Sequence, residues 1–307
     1  MGELFFAFTN SLTALGICIV VGYICRRTNL IRDMHTTGMS NLLVRVTTPC
    51  TMFMALMRPF YRALLFECLA TIVITSVIFI LGGYLGLAIA KLMKASPGDR
   101  QSWQFGVAFG NIGFMGIPVV SAVFGYEGLI YVAMALTSFN VLTFTVGARM
   151  FDNAPKGFSL KRLLISNPVI IAVIIGSFFF ISGRRLPIAI EGGISLLGGI
   201  TAPISMILLG VILARQSLKD AFTDVRLLVP VSAKLLIIPL VSMPILSWII
   251  PNPLMFRVIV TLMAMPPAVL TAIFAEQFEA DGFSAAKFIV VGTILCAVTV
   301  PLISLLL

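Results

Sequence analysis

The chain has 307 residues, of which 59% are hydrophobic and only 11% are charged. Soluble domains carry about 25% charged residues, so this composition excludes a soluble globular protein and indicates a chain that lies in the lipid bilayer. The net charge of +9 follows from lysine and arginine in the polar connections, so it requires no nucleic-acid partner.

Ten apolar windows follow one another along the chain, each bounded by charged residues, glycine or proline. A transmembrane helix needs about 20 consecutive apolar residues. We therefore expect an all-α membrane protein with about ten transmembrane helices. We expect the first window to be a retained span rather than a signal peptide, because the residues before its apolar run include the acidic Glu3 and no basic residue. The windows are 5–25, 38–57, 66–90, 102–123, 128–150, 163–182, 191–214, 227–249, 256–277 and 284–306.

The connections between windows differ in their positive charge. The connections after windows 1, 3, 5, 7 and 9 hold 14 lysines and arginines, against 5 in the others. Positive residues concentrate in cytoplasmic loops, so we expect both termini on the extracytoplasmic side of the inner (plasma) membrane. The 14 are Arg26, Arg27, Arg32, Lys91, Lys94, Arg100, Arg149, Lys156, Lys161, Arg162, Arg215, Lys219, Arg226 and Lys287, and the 5 are Arg58, Arg62, Arg184, Arg185 and Arg257.

The two halves of the chain resemble each other. The pattern Leu-Leu-x3-Thr-x-Pro-x-Ser/Thr-Met occurs at 42–52 in window 2 and again at 196–206 in window 7, and Pro118 of window 4 is matched by Pro267 of window 9. This predicts two repeats, 1–155 and 156–307, with five spans each. Because five is odd, the second repeat enters the membrane from the opposite side, and inverted repeats are typical of carriers that work by alternating access.

Two windows are interrupted near their middle. Window 4 contains GNIGFMGIP at 110–118 and window 9 contains MPPA at 265–268. A single proline in a membrane helix can be no more than a kink, but irregular backbone in lipid is tolerated only inside protein or beside a watery cavity. Transporters place their substrate sites at such broken helices. If both spans unwind and cross, the N-terminal ends of their half-helices favour an anion.

A few polar and cationic side chains lie inside the apolar windows. Arg45 and Lys234 either face a cavity or a partner, or reach the interface or a carbonyl group. No carboxylate lies equally deep, which favours an anionic substrate. The predicted substrate-binding residues are Asn111, Gly113, Pro118, Pro266 and Pro267 at the breaks, Thr48, Pro49 and Pro203 as walls, Arg45 and Lys234 as charges, and Asn140 as a polar neighbour that packing between helices explains equally well.

These residues resemble the auxin efflux carrier family in its bacterial form. The segment 110–118 is similar to that family's N-x-G-F-x-G-I-P signature, 265–268 to its second crossover motif, and Lys234-x4-Pro239 to its eighth span. The resemblance covers essentially the whole chain. It implies a scaffold domain and a mobile domain with broken crossover helices 4 and 9, as in bile acid sodium symporters. It also implies weak organic acids such as malate, malonate or auxin as substrates, and a homodimer, since plant relatives form one.

We therefore expect a secondary transporter of small organic anions, without resident cofactor or metal, rather than an enzyme. The alternative is a sodium-coupled symporter of the bile-acid type, in which unwound backbone and neutral side-chain oxygens hold the ion. The sodium symporters use a glutamate in their ninth span, where this chain has 264–267, AMPP. The sequence has no obvious pair of mid-span aspartates that could carry protons, which weakens the case for proton coupling. The paired aspartates, Asp-rich motifs and HExxH of intramembrane enzymes do not occur, and a non-transporting sensor is a further alternative.

Overall fold

The computed structural model describes residues 2–153, 166–215 and 221–307. Within these ranges the backbone is helical apart from short connections and one isolated β-bridge. The predicted cytoplasmic residues Lys156, Lys161, Arg162 and Lys219 lie outside the described residues, as do the boundary between the two predicted repeats and the start of window 6.

Fourteen α-helices are described. In the first half they are α1 Gly2–Arg27, α2 Asp33–Leu42, α3 Thr48–Leu56, α4 Arg62–Leu92, α5 Pro97–Ala108 and α6 Ile117–Leu142. In the second half they are α7 Pro168–Ser182, α8 Ile188–Gly199, α9 Thr201–Ala214, α10 Leu228–Ser232, α11 Ile238–Ile249, α12 Pro253–Met263, α13 Leu270–Gln277 and α14 Gly282–Ser304. Turns of the wider π-helix lie at Leu43–Thr47, Ile112–Gly116, Thr143–Gly147 and Ala233–Ile237, and 3₁₀ turns at Ala148–Met150 and Val225–Leu227.

Six helical stretches among the described residues are long and apolar enough to cross a membrane. They are Leu4–Arg27, Arg62–Leu92, Ile112–Met150, Ile188–Ala214, Val225–Ile249 and Gly282–Ser304, and Pro168–Ser182 and Pro253–Met263 are shorter apolar helices. The prediction of an all-α membrane protein is confirmed. The count of ten spans is supported only for these six: window 9 is broken between α12 and α13, and the start of window 6 lies outside the described residues.

Gly125 separates windows 4 and 5. Its backbone has φ 64° and ψ −163°, inside what is otherwise the continuous helix α6. Glycine adopts this conformation without the steric penalty that a Cβ imposes. The chain therefore turns between the two predicted windows without a polar loop.

Close packing through glycine joins α1 to α9. A Cβ on Gly22 would overlap the carbonyl oxygen of Ile207, and a Cβ on Gly210 would overlap that of Ile19. Small residues let membrane helices approach to backbone contact, which is a main source of association in lipid. Windows 1 and 7 thus form one tightly packed pair.

The connections gather at two ends of the molecule. At one end, Ser284 Oγ donates to Asp99, Gln101 Nε2 donates to Asp152 Oδ2 at 2.7 Å, and Arg226 Nη2 donates to the Met93 carbonyl at 2.7 Å. These bonds join the connections after windows 3, 5, 7 and 9, which the charge count predicts to share one side.

The other end joins the connections that carry few positive charges. Arg58 Nη2 donates to the Tyr126 carbonyl at 2.8 Å, and burial lowers the pKa of its guanidinium, an effect that the nearby Glu127 opposes. Asn252 Nδ2 donates to Glu67 Oε1 at 2.9 Å. The connections after windows 2, 4 and 8 thus meet opposite the positively charged end.

Candidate functional site

The two interrupted segments lie against each other. Gly110 and Pro267 form an antiparallel β-bridge. The backbone N–H of Asn111 donates to the Pro266 carbonyl at 2.7 Å, and the backbone N–H of Ala268 donates to the Phe109 carbonyl at 3.0 Å. Residues 109–111 and 266–268, called the junction from this point, therefore satisfy each other's backbone groups, which the interior of a membrane protein requires.

Asn111 organises the start of the helical segment after the first break. Its Oδ1 accepts from the Phe114 N–H at 3.2 Å, and its own carbonyl accepts from the N–H groups of Met115 and Gly116. Its Nδ2 is buried and has no hydrogen-bond partner among the described residues. A buried donor without an acceptor costs about 1–3 kcal/mol, so Asn111 presents an unused donor at the junction.

Lys234 lies beside the same backbone. Its side chain is only 1% exposed, and a Cβ on Gly110 would stand 3.1 Å from Lys234 Nζ. Among the described residues Lys234 has no carboxylate partner, and Cys296 is the titratable group close enough to act on its charge. The alternative that Lys234 reaches the membrane interface is corrected: the π turn Ala233–Ile237 places it inside the protein.

Both prolines of the second break are buried against glycines. A Cβ on Gly292 would stand 2.5 Å from Pro267 Cδ, and one on Gly106 would stand 3.2 Å from Pro267 Cβ. Pro267 thus occupies space that the missing side chains of α5 and α14 leave. Proline has no backbone N–H and cannot continue a helix, so Pro266 and Pro267 prevent α12 and α13 from fusing.

Phenylalanines pack the side of the junction next to α5. The Phe109 ring lies 4.8 Å from that of Phe105, 5.5 Å from that of Phe79 and 5.8 Å from that of Phe139, measured between centroids. Phe274 of α13 joins them at 5.3 Å from Phe105. Such aromatic contacts fix the ends of both broken helices.

Windows 2 and 7 meet through hydroxyl groups. Thr51 Oγ1 lies 2.8 Å from Thr201 Oγ1 and donates to the Gly198 carbonyl at 3.0 Å. Thr48 is buried and Pro49 half-buried, whereas Pro203 is exposed. The helix α9, which carries Pro203, approaches the junction through its contact with the π turn Ile112–Gly116.

Three further predicted site residues lie in other settings. Arg45 is exposed, unlike the buried residues of the junction. The Oδ1 atom of Asn140 accepts a hydrogen bond from Asn167 Nδ2 at 3.0 Å, and Asn167 is the residue that caps the start of α7. This contact agrees with the interpretation that Asn140 serves packing between helices. Pro118 stands in the first turn of α6, and Gly110 rather than Pro118 pairs with Pro267. Gly113 lies half-buried in the π turn between them.

The described residues contain no group of three or more His, Cys, Asp or Glu side chains that could hold a metal ion. The functional groups at the junction are instead the Lys234 ammonium and the Asn111 side-chain amide. This set can bind an anion.

The family model described as membrane transport protein matches residues 7–161 and 153–304. The chain belongs to this membrane transport protein family. Its resemblance to the auxin efflux carriers is thereby confirmed, and the protein is a multi-pass membrane transporter.

Relatives of this transporter occur in archaea, bacteria and animals. An uncharacterized transporter of Methanothermobacter thermautotrophicus is 28% identical over 99% of this chain and 100% of the relative. A putative malonate transporter of Rhizobium meliloti is 25% identical over 75% of this chain and 72% of the relative. The lysosomal cholesterol signaling protein of Mus musculus is 26% identical over 76% of this chain but only 29% of the relative.

Sequence reasoning missed two features of this transporter's site. Gly110 lies where Lys234 and the Met265 carbonyl approach, so a Cβ there would be in tight contact with both, at 3.1 and 3.2 Å. Thr51 and Thr201 form a buried pair, although the repeat pattern aligns Thr201 with Thr47 instead. The only sequence signal for the close approach at Gly110 is that a glycine directly precedes Asn111. The contact between Thr51 and Thr201 has no such signal, because an alignment of the repeats does not show which residues touch.

Proposed function

We propose that this protein is a secondary transporter of small organic anions that binds the substrate carboxylate at the junction and works by alternating access. The observation that carries the proposal is the pair formed by Lys234 and Asn111: a buried ammonium and an unused amide donor beside one stretch of irregular backbone. A carboxylate would accept from both groups.

Helix ends add positive potential at the same place. The helical segment after the first break begins at Ile112, and α13 begins at Leu270, directly after the second break. The N-terminal end of a helix carries a partial positive charge from its free N–H groups. Two such ends next to a buried lysine favour a dianion over a cation or a neutral solute.

Malonate is the first substrate to test. The relative in Rhizobium meliloti is described as a putative malonate transporter, and malonate is a small dicarboxylate. Malate and indole acetate, which represent the other acids that the family resemblance implies, complete the panel.

Alternating access is supported by the arrangement of the two breaks. The predicted inverted repeats place one break in each half and make spans 4 and 9 equivalent crossover helices. The antiparallel bridge Gly110–Pro267 joins these two spans. In this proposal the protein resides in the plasma membrane, and the two halves exchange conformations around the substrate.

The test is uptake of labelled malonate, malate and indole acetate into proteoliposomes that contain the full chain. We expect saturable uptake of at least one carboxylate. Asn111→Ala should lower that uptake about tenfold or more, because a hydrogen bond to a charged group is worth about 1.5–3 kcal/mol. Asn140→Ala is the matched control, since it removes another membrane amide whose partner is Asn167.

The same vesicles decide between the alternatives. Dependence of uptake on an imposed sodium gradient would assign the sodium-symporter mechanism, and dependence on a proton gradient would assign proton coupling. Transport of cations without any carboxylate would contradict the anion proposal. Equal activity of Asn111→Ala and the control would remove Asn111 from the site.

A further inference from the structure

A groove with a cavity of about 440 Å³ opens on the surface between α4, α5 and the 3₁₀ turn that follows α6. It is separate from the junction. Three cations line it, Lys91 from α4, Arg100 from α5 and Arg149 from the 3₁₀ turn Ala148–Met150. We call it the basic groove.

The positive charge of the basic groove is only partly neutralised. Asp152 is the acid in its lining, and its carboxylate is already engaged by Arg100 at 3.4 Å and by Gln101 Nε2 at 2.7 Å. Lys91 and Arg149 are exposed, and no ion pair joins them to another described residue. Two cations from different helices therefore converge on one cavity and are free to bind an anion.

The other part of the groove is apolar. Ile80, Tyr84, Leu87 and Lys91 follow one another at helical spacing on one face of α4, and Tyr84 is 67% exposed. From Ile80 to Lys91 this face rises by about 16 Å along the helix axis. Val146 continues the apolar surface from the opposite wall. The lining thus changes from apolar to cationic toward the end of α4 that the charge count predicts to be cytoplasmic.

We propose that the basic groove binds an anionic phospholipid, with its phosphate between Lys91, Arg100 and Arg149 and an acyl chain along Ile80, Tyr84 and Val146. Arginine and lysine are the side chains that bind phosphate, and tyrosine is favoured at the membrane interface. A free phosphate ester offers the same charge but leaves the apolar half of the groove unfilled, which is why we assign a lipid. Basic pockets between transmembrane helices bind anionic headgroups in this way.

The test titrates the full-length protein in neutral detergent with dioleoyl phosphatidylglycerol or dioleoyl phosphatidylcholine and counts bound lipids by native mass spectrometry. We expect phosphatidylglycerol to bind more tightly. The double variant Lys91→Gln/Arg149→Gln should weaken its binding about 30-fold, and each single variant about fivefold, because a cation near an anionic lipid surface contributes about 1 kcal/mol. Binding of phosphatidylcholine should be unchanged.

Arg27→Gln/Lys94→Gln is the matched control, because it removes two exposed cations that do not line the groove. Equal losses in the two double variants would show a general effect of surface charge and overturn the proposal, as would equal affinity for the two lipids.

Glycerol 3-phosphate and inorganic phosphate form the last arm of the test. If either binds as tightly as phosphatidylglycerol and competes with it, the groove is a site for free phosphate and the lipid assignment fails. The single variants keep the test decisive if the double variant does not fold.

Discussion

Lys234 and Arg45 show how differently two cations in apolar windows are placed. Lys234 is buried beside the junction, whereas Arg45 is exposed. A charge inside the membrane is costly, so a buried one is retained where it serves function. An exposed arginine can instead extend its long side chain toward the interface.

Replacing Lys234 by methionine separates these roles. Lys234→Met should abolish carboxylate uptake while the melting temperature stays the same or rises, because a neutral side chain of similar length removes the cost of a buried charge. Arg45→Met is the control and should retain uptake. The measurements are proteoliposome uptake and thermal unfolding in detergent. Full uptake by Lys234→Met would show that the ammonium does not bind substrate.

The hydropathy pattern predicts neither of these placements. Lipid and protein interior are both apolar, so residues facing either one look alike in the sequence, and the amphipathic periodicity of soluble helices is lost. Glycine and proline are more informative because they act on the backbone itself. For that reason the positions of both breaks, but not the exposure of Arg45 and Pro203, follow from the sequence.

Between elements, the fit of Pro267 against α14 controls the stability of the second break. Gly292→Ala should lower the free energy of unfolding by about 1–3 kcal/mol, the usual cost of overpacking, because the new methyl group meets Pro267 Cδ at 2.5 Å. Thermal unfolding in detergent measures the change.

The control for this variant is Gly193→Ala. Gly193 lies inside α8 with no atom within 4 Å of an added Cβ. Alanine is about 0.5–1 kcal/mol more favourable than glycine inside a helix, so this variant should be neutral or more stable. A melting temperature of Gly292→Ala that matches the parent protein would mean that α14 does not hold Pro267 in place.

Helix bounds follow from the sequence more closely than helix pairing does. The helices Gly2–Arg27 and Arg62–Leu92 extend beyond the windows 5–25 and 66–90 at both ends, because charged and small residues continue a helix that hydropathy no longer marks. The repeats align Pro267 with Pro118, but this alignment does not indicate which residue lies across the bridge from Pro267. Pairing between backbone groups leaves no pattern of side chains in the sequence, so Gly110 could not be identified in advance as the residue that pairs with Pro267.

Across the whole molecule, the polar connections divide between two ends, and the charge bias predicts which end is cytoplasmic. The C-terminus lies at the end with few positive charges, where Arg257 Nε donates to the Leu307 carbonyl at 3.2 Å. Alkaline phosphatase fused after Leu307 should be active in bacterial cells, and a fluorescent protein fused there should be dark.

The control fusion ends at Lys94, in the connection that follows α4, and should give the reverse result. The expected orientation rests on the retention of lysine and arginine in the cytoplasm. Fluorescence from the fusion after Leu307 would place the C-terminus inside and reverse the assignment for every connection.

The bridge between the two breaks also bears on how substrate range changes in this family. Its hydrogen bonds run between main-chain atoms of Asn111 and Pro266 and of Ala268 and Phe109. Bonds of this kind persist when side chains are exchanged, provided that the backbone keeps its path. Homologous proteins that share only about a quarter of their residues with this chain can therefore inherit one architecture while the groups around it diversify to recognise new solutes.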